Sequence, residues 1–151
     1  MNKQLLYFDD LTVGDSFMSE ACHITADKIK TFAKEYDPQV FHLDEEAAED
    51  TFFKGLAASG WHTAAVTMRL ITKSIPFSAG IIGAGGDIKW PHPTRPGDVL
   101  HVKSTIKEIK PSRSKPNQAI VVIEAETINH QQEVCQILTA NLLSFKKMNN
   151  Q

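Results

Sequence analysis

The sequence contains little cysteine and no long hydrophobic run. Only two of its 151 residues are cysteines, Cys22 and Cys135, and they form no Cys-x-x-Cys pattern. Two distant cysteines cannot build a disulfide framework, so we expect a protein of the reducing cytoplasm. The longest uncharged stretches, Gly55–Met68 and Ser74–Gly86, are too short and too rich in small residues to span a bilayer. The first residues do not resemble a signal peptide, so no membrane or export role is predicted.

The sequence also lacks a charge excess and the common motifs of metal and phosphate sites. Its formal net charge is −2 and its pI is about 6.3, so we predict no nucleic-acid partner and no anionic membrane partner. The six histidines form no His-Glu-x-x-His motif and no Cys/His cluster, so no metal is predicted. A Gly-x-Ser-x-Gly elbow is absent, which argues against a serine hydrolase. The run at 83–86 lacks the Gly-x-Gly-x-x-Gly spacing, so we expect close backbone packing in a strand.

The residue pattern that is present predicts helices followed by a run of strands. Thr25 is a typical N-cap, and the helix that follows it ends at Pro38. A short acidic helix is predicted over Glu45–Thr51, and a long one over Gly60–Ile75, ended by Pro76. The long helix is expected to be buried on its apolar positions, which are Trp61, Ala64, Ala65, Met68, Ile71, Thr72 and Ile75. Strands are predicted over Ser16–Ile24, Ala79–Trp90, Val99–Ile109, Ala119–Ile128 and Glu133–Phe145.

This order of elements is typical of the α+β class. One long buried helix followed by antiparallel strands indicates a curved sheet wrapped around that helix. No linker, repeat or low-complexity segment divides the chain, so we expect one domain over residues 1–151.

A carboxylate and an imidazole lie five residues apart on the predicted connection between two helices. These are Asp37 and His42, and apolar Val40 and Phe41 stand between them. The apolar pair predicts that the connection faces the interior, where desolvation would raise the pKa of Asp37. An aspartate and a histidine that converge on one water can divide acid and base duties near neutral pH. On spacing alone the signal is weak, because a loop aspartate followed by a histidine is more often a helix cap beside a hydrogen-bonded structural histidine.

Three motifs resemble those of the MaoC-like dehydratases and the (R)-specific enoyl-CoA hydratases. The run 37–44, Asp-Pro-Gln-Val-Phe-His-Leu-Asp, resembles the family's Asp-x-Asn-Pro-x-His-x-Asp, with Gln39 at the asparagine position and the proline moved forward. The run 55–62 resembles the start of the family's central helix, with Ser59 replacing a common histidine. The run 90–98 resembles the family's Pro-x-x-x-Gly-Asp corner. The resemblance covers about residues 8–146 and implies a hot-dog fold.

The resemblance also implies a reaction. The backbone N–H of Gly60 would hold the carbonyl oxygen of an acyl thioester at the positive end of the central helix. Asp37 would act as a base on the water that attacks C3, and His42 would orient that water and relay a proton to C2. Ser59 is either a partner of this site or the N-cap of the helix. No cofactor is implied beyond the coenzyme A of the substrate.

Further residues are candidates for substrate binding, each with a structural alternative. Basic residues at 107–115 are able to bind the phosphates of coenzyme A or to form a solvated hairpin, and His92 and Arg95 share that ambiguity. His62 is expected to be packed and hydrogen-bonded rather than catalytic. The substrate-binding candidates are Gln39, Phe41, Trp61, Arg113 and Lys115.

Two other functions remain open at this stage. A hot-dog thioesterase would use the same carboxylate to hydrolyse the thioester, and a non-catalytic acyl-CoA-binding module would use only the pocket. The glycine-rich strand Ala79–Trp90 has weak side-chain cover, and an uncovered strand edge favours a partner. Family resemblance implies the same, so we expect a homodimer or a dimer of dimers with this strand at or beside the contact.

Overall fold

The first long helix places Asp37 at its C-terminal end. The computed structural model describes residues 4–148. Helix α1 (Ala26–Tyr36) begins at Thr25, whose side chain accepts a hydrogen bond from the Lys28 N–H, and it buries Ile29 and Ala33. Asp37 follows with φ −154° and ψ 68°, outside the helical region. Proline disfavours the helical region for the residue before it, and α1 ends at Tyr36, so the predicted helix end is confirmed.

Three helices follow, and the last is the central helix of the fold. His42 lies in the short helix α2 (Val40–Leu43), and Asp44 caps α3 (Glu45–Ala48), which is shorter than the predicted Glu45–Thr51. Helix α4 (Gly60–Ser74) begins at Ser59 and ends one residue before its predicted end. Within residues 4–148, no helix is long and apolar enough to cross a membrane.

Six antiparallel strands form one sheet in the order β1–β4–β5–β6–β3, and β2 also pairs with β4. Their bounds are β1 (Ser16–Met18), β2 (Cys22–His23), β3 (Ile82–Lys89), β4 (Val99–Pro111), β5 (Gln118–Ile128) and β6 (Val134–Phe145). The single strand predicted over Ser16–Ile24 is wrong in detail, because residues 19–21 separate two short strands. Register shifts between β3 and β6, between β4 and β5, and between β5 and β6 mark bulges, which bend a sheet.

The main core lies between α4 and the concave face of the sheet. Leu70, Ile71 and Ile75 are at most 1% exposed and pack against side chains of β4, β5 and β6. The sheet residues of this cluster are Val102, Ile106, Val121, Ile123, Ala125, Ala140 and Leu142. A curved antiparallel sheet around one helix confirms the predicted α+β hot-dog fold.

The predicted buried face of α4 is wrong at four of its seven positions. The buried residues of the helix are His62, Thr63, Thr67, Leu70 and Ile71. Trp61 is 60% exposed, Met68 is 40% exposed, and Ala65 and Thr72 are also exposed. Threonine hydroxyls can be buried when they are hydrogen-bonded, and here Thr63 and Thr67 bond to partners on other elements. In a single chain, apolar residues that include Trp61 and Met68 are exposed on the outer face of α4 and form an apolar stripe there.

Candidate active site

Asp37 and His42 converge at the end of α1. The Nε2 atom of His42 lies 3.3 Å from Oδ2 of Asp37, and the two side chains are 5% and 19% exposed. The connection is compact because the Gln39 N–H donates to the Asp37 carbonyl and the His42 N–H donates to the Gln39 carbonyl. The two groups that were predicted to act together are thus brought together, although His42 is on a short helix rather than a loop.

The tautomer of His42 is set by a hydrogen bond at Nδ1, the ring nitrogen that does not face Asp37. Its Nδ1 lies 2.6 Å from the carbonyl oxygen of Ala57. A carbonyl oxygen only accepts, so Nδ1 carries the proton and Nε2 of the neutral imidazole keeps its lone pair. Nε2 and the Asp37 carboxylate then present two acceptors side by side. This arrangement suits one water that donates a hydrogen to each and keeps its own lone pairs free.

The Asp37 carboxylate is held by two donors. Gln39 Nε2 donates to Oδ1 at 2.6 Å, and the Ser59 hydroxyl donates to Oδ2 at 2.7 Å. Burial raises the pKa of Asp37, but these two hydrogen bonds and the nearby His42 lower it by more, so the pKa lies below its usual 3.8. The expectation of a raised pKa is therefore wrong in its net direction, because the polar partners outweigh desolvation.

The N-terminus of α4 completes this group. Ser59 accepts from the Trp61 N–H at 3.2 Å while it donates to Asp37, so it is both the N-cap and a partner of the carboxylate. The Gly60 N–H is bonded to no acceptor within residues 4–148. A Cβ at Gly60 would lie 2.7 Å from an indole carbon of Trp90. Only glycine therefore allows Trp90 to pack against this turn of the helix.

These groups line one cavity of about 600 Å³, a size typical of small-molecule sites. Its wall carries both acceptors of the Asp37–His42 pair, together with Gly60. The exposed side of the cavity is aromatic, and its buried side has three small polar residues that are at most 3% exposed. The aromatic residues are Phe52, Phe53, Trp61 and Trp90, and the small polar residues are Thr63, Thr94 and Cys135.

A buried polar network behind the cavity was not predicted. The Trp90 indole N–H donates to Gln136 Oε1 at 2.9 Å, and Gln136 Nε2 donates to Thr67 Oγ1 at 3.0 Å. Thr67 also meets the Thr127 hydroxyl at 2.5 Å. Gln136, Thr67 and Thr127 are fully buried. The network fixes the indole against Gly60, and the one sequence signal for it is polar residues at inward-facing strand positions.

Four of the five predicted substrate-binding residues do not line the cavity. Gln39 is exposed and bonds to Asp37, and Phe41 packs against His42 and Phe53 with ring centroids 4.6 Å and 4.9 Å away. Arg113 belongs to the turn between β4 and β5. The turn lies at the far end of a strand about 40 Å long that starts beside the cavity.

Lys115 belongs to the same turn and lies outside the cavity wall. A role for this hairpin in binding coenzyme A stays a prediction. Trp61 does line the cavity, as predicted.

The sequence left His92 and Arg95 ambiguous, and both line the cavity. His62 is 8% exposed, its ring stacks on Phe32 with centroids 4.8 Å apart, and its Nδ1 has no hydrogen-bond partner. His62 is packed, as expected. The hydrogen bond that was expected for it is absent at Nδ1. Arg95 donates to backbone carbonyls at residues 53–56. Within the described residues, no group of three or more metal-ligating side chains occurs.

Comparison with known proteins identifies relatives across most of the chain. A family model described as the MaoC like domain matches residues 11–128. The crystal structure of a MaoC-like dehydratase from Rhodospirillum rubrum is 52% identical, with a TM-score of 0.94 over 95% of this chain and 99% of that one. Two curated proteins are also similar. An uncharacterised Bacillus subtilis protein is 32% identical over 83% of this chain and 89% of its own length. The 3-hydroxybutyryl-CoA dehydratase of Methylorubrum extorquens is 28% identical over 77% and 73%.

Proposed function

The chain belongs to the MaoC-like dehydratase family, and from this premise we propose that it adds water reversibly across the C2=C3 bond of an enoyl thioester. The product of hydration is a 3-hydroxyacyl thioester, and the thioester is proposed to be that of coenzyme A. One observation carries this proposal. Nε2 of His42 and Oδ2 of Asp37 are 3.3 Å apart in a cavity that also contains the free N–H of Gly60.

The Gly60 N–H is proposed to stabilise the negative charge that develops on the thioester oxygen, by donating a hydrogen bond to it. It lies at the positive end of a helix of 15 residues, where a backbone donor is oriented before the reaction begins. The thioester oxygen would accept its hydrogen bond as C3 is attacked and the electrons of the double bond move toward the carbonyl. The absence of a side chain at Gly60 lets the thioester approach the backbone closely.

The Asp37–His42 pair is proposed to activate the water and to return its proton. The water oxygen bonds to C3, one of its protons passes to the pair, and a proton from the pair is delivered to C2, which balances the addition. The lowered pKa of Asp37 makes its carboxylate a weak base, whereas the Nε2 lone pair of His42 is free. We therefore assign proton uptake to His42, and Asp37 orients the water and stabilises the imidazolium.

This assignment differs from the roles that the family resemblance implies, in which Asp37 is the base. Both groups face one side of the cavity, so addition and elimination are expected to be syn. Because every proton in the cycle comes from the water, no redox or metal cofactor is required by these steps. A coenzyme A thioester is supported by the similarity to the M. extorquens relative, a 3-hydroxybutyryl-CoA dehydratase.

A homodimer or dimer of dimers is also proposed. Strand β3 is exposed along nearly its whole length and pairs with β6 alone among the described strands. The outer stripe of α4, which includes Trp61 and Met68, is exposed as well. An uncovered strand edge next to an apolar helix face favours a second copy of the chain.

The decisive experiment is incubation of the purified protein with crotonyl-CoA. We expect the enoyl absorbance to fall and 3-hydroxybutyryl-CoA to appear, without free thiol. Release of thiol would instead support the thioesterase, and binding without either product would support an acyl-CoA-binding module. Asp37→Asn serves as the inactive control, and a wild-type protein that converts none of several enoyl-CoA chain lengths would contradict the proposal.

A further inference from the structure

We propose that Arg95 is a positioning residue that sets the tautomer of His42 through the backbone of residues 53–57. Its part in turnover rests on the proposed function, whereas its effect on the imidazole does not. Arg95 belongs to the cavity wall, but its hydrogen bonds to the protein go to a backbone segment rather than to the Asp37–His42 pair.

The guanidinium of Arg95 donates hydrogen bonds to three backbone carbonyls of one irregular segment. Nη1 donates to the carbonyls of Gly55 at 3.1 Å and Leu56 at 3.2 Å, and Nη2 donates to the carbonyl of Phe53 at 2.5 Å. Among the described residues, no other donor reaches these three carbonyls. Their hydrogen bonding within the protein therefore depends on one side chain.

The segment has no regular structure that would hold it otherwise. Lys54 has φ 56° and Gly55 has φ 148°, so the chain turns through the left-handed region and continues to α4 without a strand or helix. The left-handed region is costly for a residue with a side chain, and such a conformation persists only where the surroundings fix it. The contacts of Arg95 supply that constraint on one side.

The next carbonyl along this segment is the one that holds His42. Ala57 accepts from Nδ1 of His42 at 2.6 Å, and its own N–H donates to the Phe41 carbonyl at 3.0 Å. The Ala58 N–H donates to the Thr94 carbonyl, next to Arg95. The segment is thus bonded to the Arg95 region on one side and to the His42 region on the other. Movement of one side alters the acceptor that keeps the proton on Nδ1.

Arg95 is itself fixed by the corner that follows it. Its N–H donates to Oδ2 of the buried Asp98 at 2.9 Å, and the Asp98 N–H donates back to its carbonyl at 3.1 Å. A planar guanidinium can span several carbonyls with a fixed set of donors, whereas a lysine ammonium offers a single point of charge. The structure therefore requires arginine here for shape as well as for charge.

The test compares Arg95→Gln, Arg95→Lys and the control Arg69→Gln, which alters an exposed arginine of α4. The first measurement is the 15N NMR spectrum of the imidazoles, recorded about two pH units above the ordinary imidazole pKa of about 6.5. His42 is assigned from the signals that His42→Ala lacks. We expect Nδ1–H in the wild type and in Arg69→Gln. In Arg95→Gln we expect a mixture of tautomers, because Nε2–H is the preferred form of a free imidazole.

The second measurement is hydration of crotonyl-CoA as a function of pH. We expect Arg95→Gln to lower kcat by on the order of 10- to 100-fold, the cost of a displaced reacting group, while KM changes by less than about threefold. The kcat of Arg95→Lys is expected to lie between those of Arg95→Gln and the wild type, and the kcat of Arg69→Gln is expected to match the wild type.

Each outcome bears on the proposal. An unchanged His42 tautomer in Arg95→Gln overturns it, and so does a rise in KM with unchanged kcat, which would make Arg95 a substrate-binding residue. If Arg95→Gln does not fold, Arg95→Lys decides alone, and wild-type kcat and tautomer there overturn the proposal. A wild type without hydratase activity contradicts the proposed function instead, and leaves the NMR comparison as the test.

Discussion

The hydroxyl of Ser59 donates a 2.7 Å hydrogen bond to Oδ2 of Asp37 across 22 residues of sequence. The hydroxyl oxygen of Ser59 also accepts from the Trp61 N–H and caps α4. One small side chain thus connects the helix that carries the Gly60 donor with the carboxylate that faces His42. The position of the proposed donor relative to the proposed acceptors is set by this contact.

Replacement of Ser59 by alanine is expected to affect both stability and pH dependence. Loss of the cap should lower the free energy of unfolding by about 1 kcal/mol. Loss of a donor to the charged form should raise the pKa of Asp37, so the step of the kcat profile that reports protonation of Asp37 should move to higher pH. Urea denaturation and a pH–rate profile measure the two effects.

Ser104→Ala is the matched control for Ser59→Ala, because the Ser104 hydroxyl is buried without a hydrogen-bond partner. It should leave the pH profile unchanged and stability equal or slightly higher, since the substitution removes an unsatisfied buried hydroxyl. A pH profile for Ser59→Ala that overlays the wild type would show that the Asp37 contact has no electrostatic effect.

Asp37→Asn and His42→Ala are each expected to lower kcat by on the order of 10²–10⁴, the range for loss of a general acid or base. Both proteins should melt within a few degrees of the wild type, because Asn keeps one accepting oxygen while the Ser59 hydroxyl can also accept from its amide group, and His42 lies in a helix of only four residues. Asp50→Asn and His23→Ala, at exposed positions, are the controls. Near-normal turnover in either Asp37→Asn or His42→Ala would remove that residue from the mechanism.

Gly60→Ala should be harmful through Trp90. Its Cβ would lie 2.7–2.9 Å from three carbons of the indole, so the ring must move and its bond to Gln136 must stretch or break. We expect Gly60→Ala to lower stability and kcat/KM by less in a Trp90→Leu background than in the wild type. A double-mutant cycle by urea denaturation and steady-state kinetics measures this coupling. Additive effects of the two substitutions would show that the contact is unimportant.

His62 should make the protein sensitive to acid. Burial, and to a smaller extent Lys28, lower the pKa of His62 below 6.5. The unfolded chain therefore binds a proton there at a higher pH than the folded one. The stability due to neutral His62 is complete above about pH 6.5 and is lost as the pH falls toward the folded-state pKa.

His62→Phe tests this effect, because phenylalanine keeps the ring that stacks on Phe32 and removes the unbonded Nδ1. Its free energy of unfolding should exceed that of the wild type by an amount that grows as the pH falls below about 6.5. His23→Phe, at an exposed position of β2, should show no such growth. A pH-independent difference for His62→Phe would contradict the assignment.

The assembly prediction is tested by sedimentation equilibrium at micromolar concentration. We expect a dimer or a dimer of dimers, and a single species at the 16.8 kDa mass of the chain would contradict it. Gly83→Asp places a charge on exposed β3, where a side chain would meet no atom within 4 Å in one chain. We expect this variant to dissociate and to lose activity together. Normal activity in a monomeric Gly83→Asp would show that the site does not need a partner.

The local features of this protein followed from its sequence, and the long-range ones did not. Pro38 sets the end of α1, so the Asp37–His42 interval and the cap at Thr25 were predictable from neighbouring residues. The contacts of Trp90 with Gln136 and of Gln136 with Thr67 join residues 46 and 69 positions apart. No residue pattern within a single helix or strand predicts such contacts.

The same distinction explains two wrong expectations. Apolar neighbours suggested a raised pKa for Asp37, but the hydrogen bonds from Gln39 and from Ser59, which belongs to another element, reverse the sign together with the nearby His42. Helical spacing placed Trp61 and Met68 in the core, but periodicity finds an apolar face and does not say what covers it. In one chain that face is exposed.

The packing of Trp90 against Gly60 has an optical consequence. The chain contains two tryptophans, Trp61 and Trp90. Both line the cavity, with ring centroids 5.4 Å apart at 82°. The ultraviolet emission of the protein therefore arises from the cavity wall. Filling the cavity should change the emission intensity and the coupling between the two indoles. Ligand occupancy can thus be followed in unlabelled protein, including variants in which turnover has been abolished.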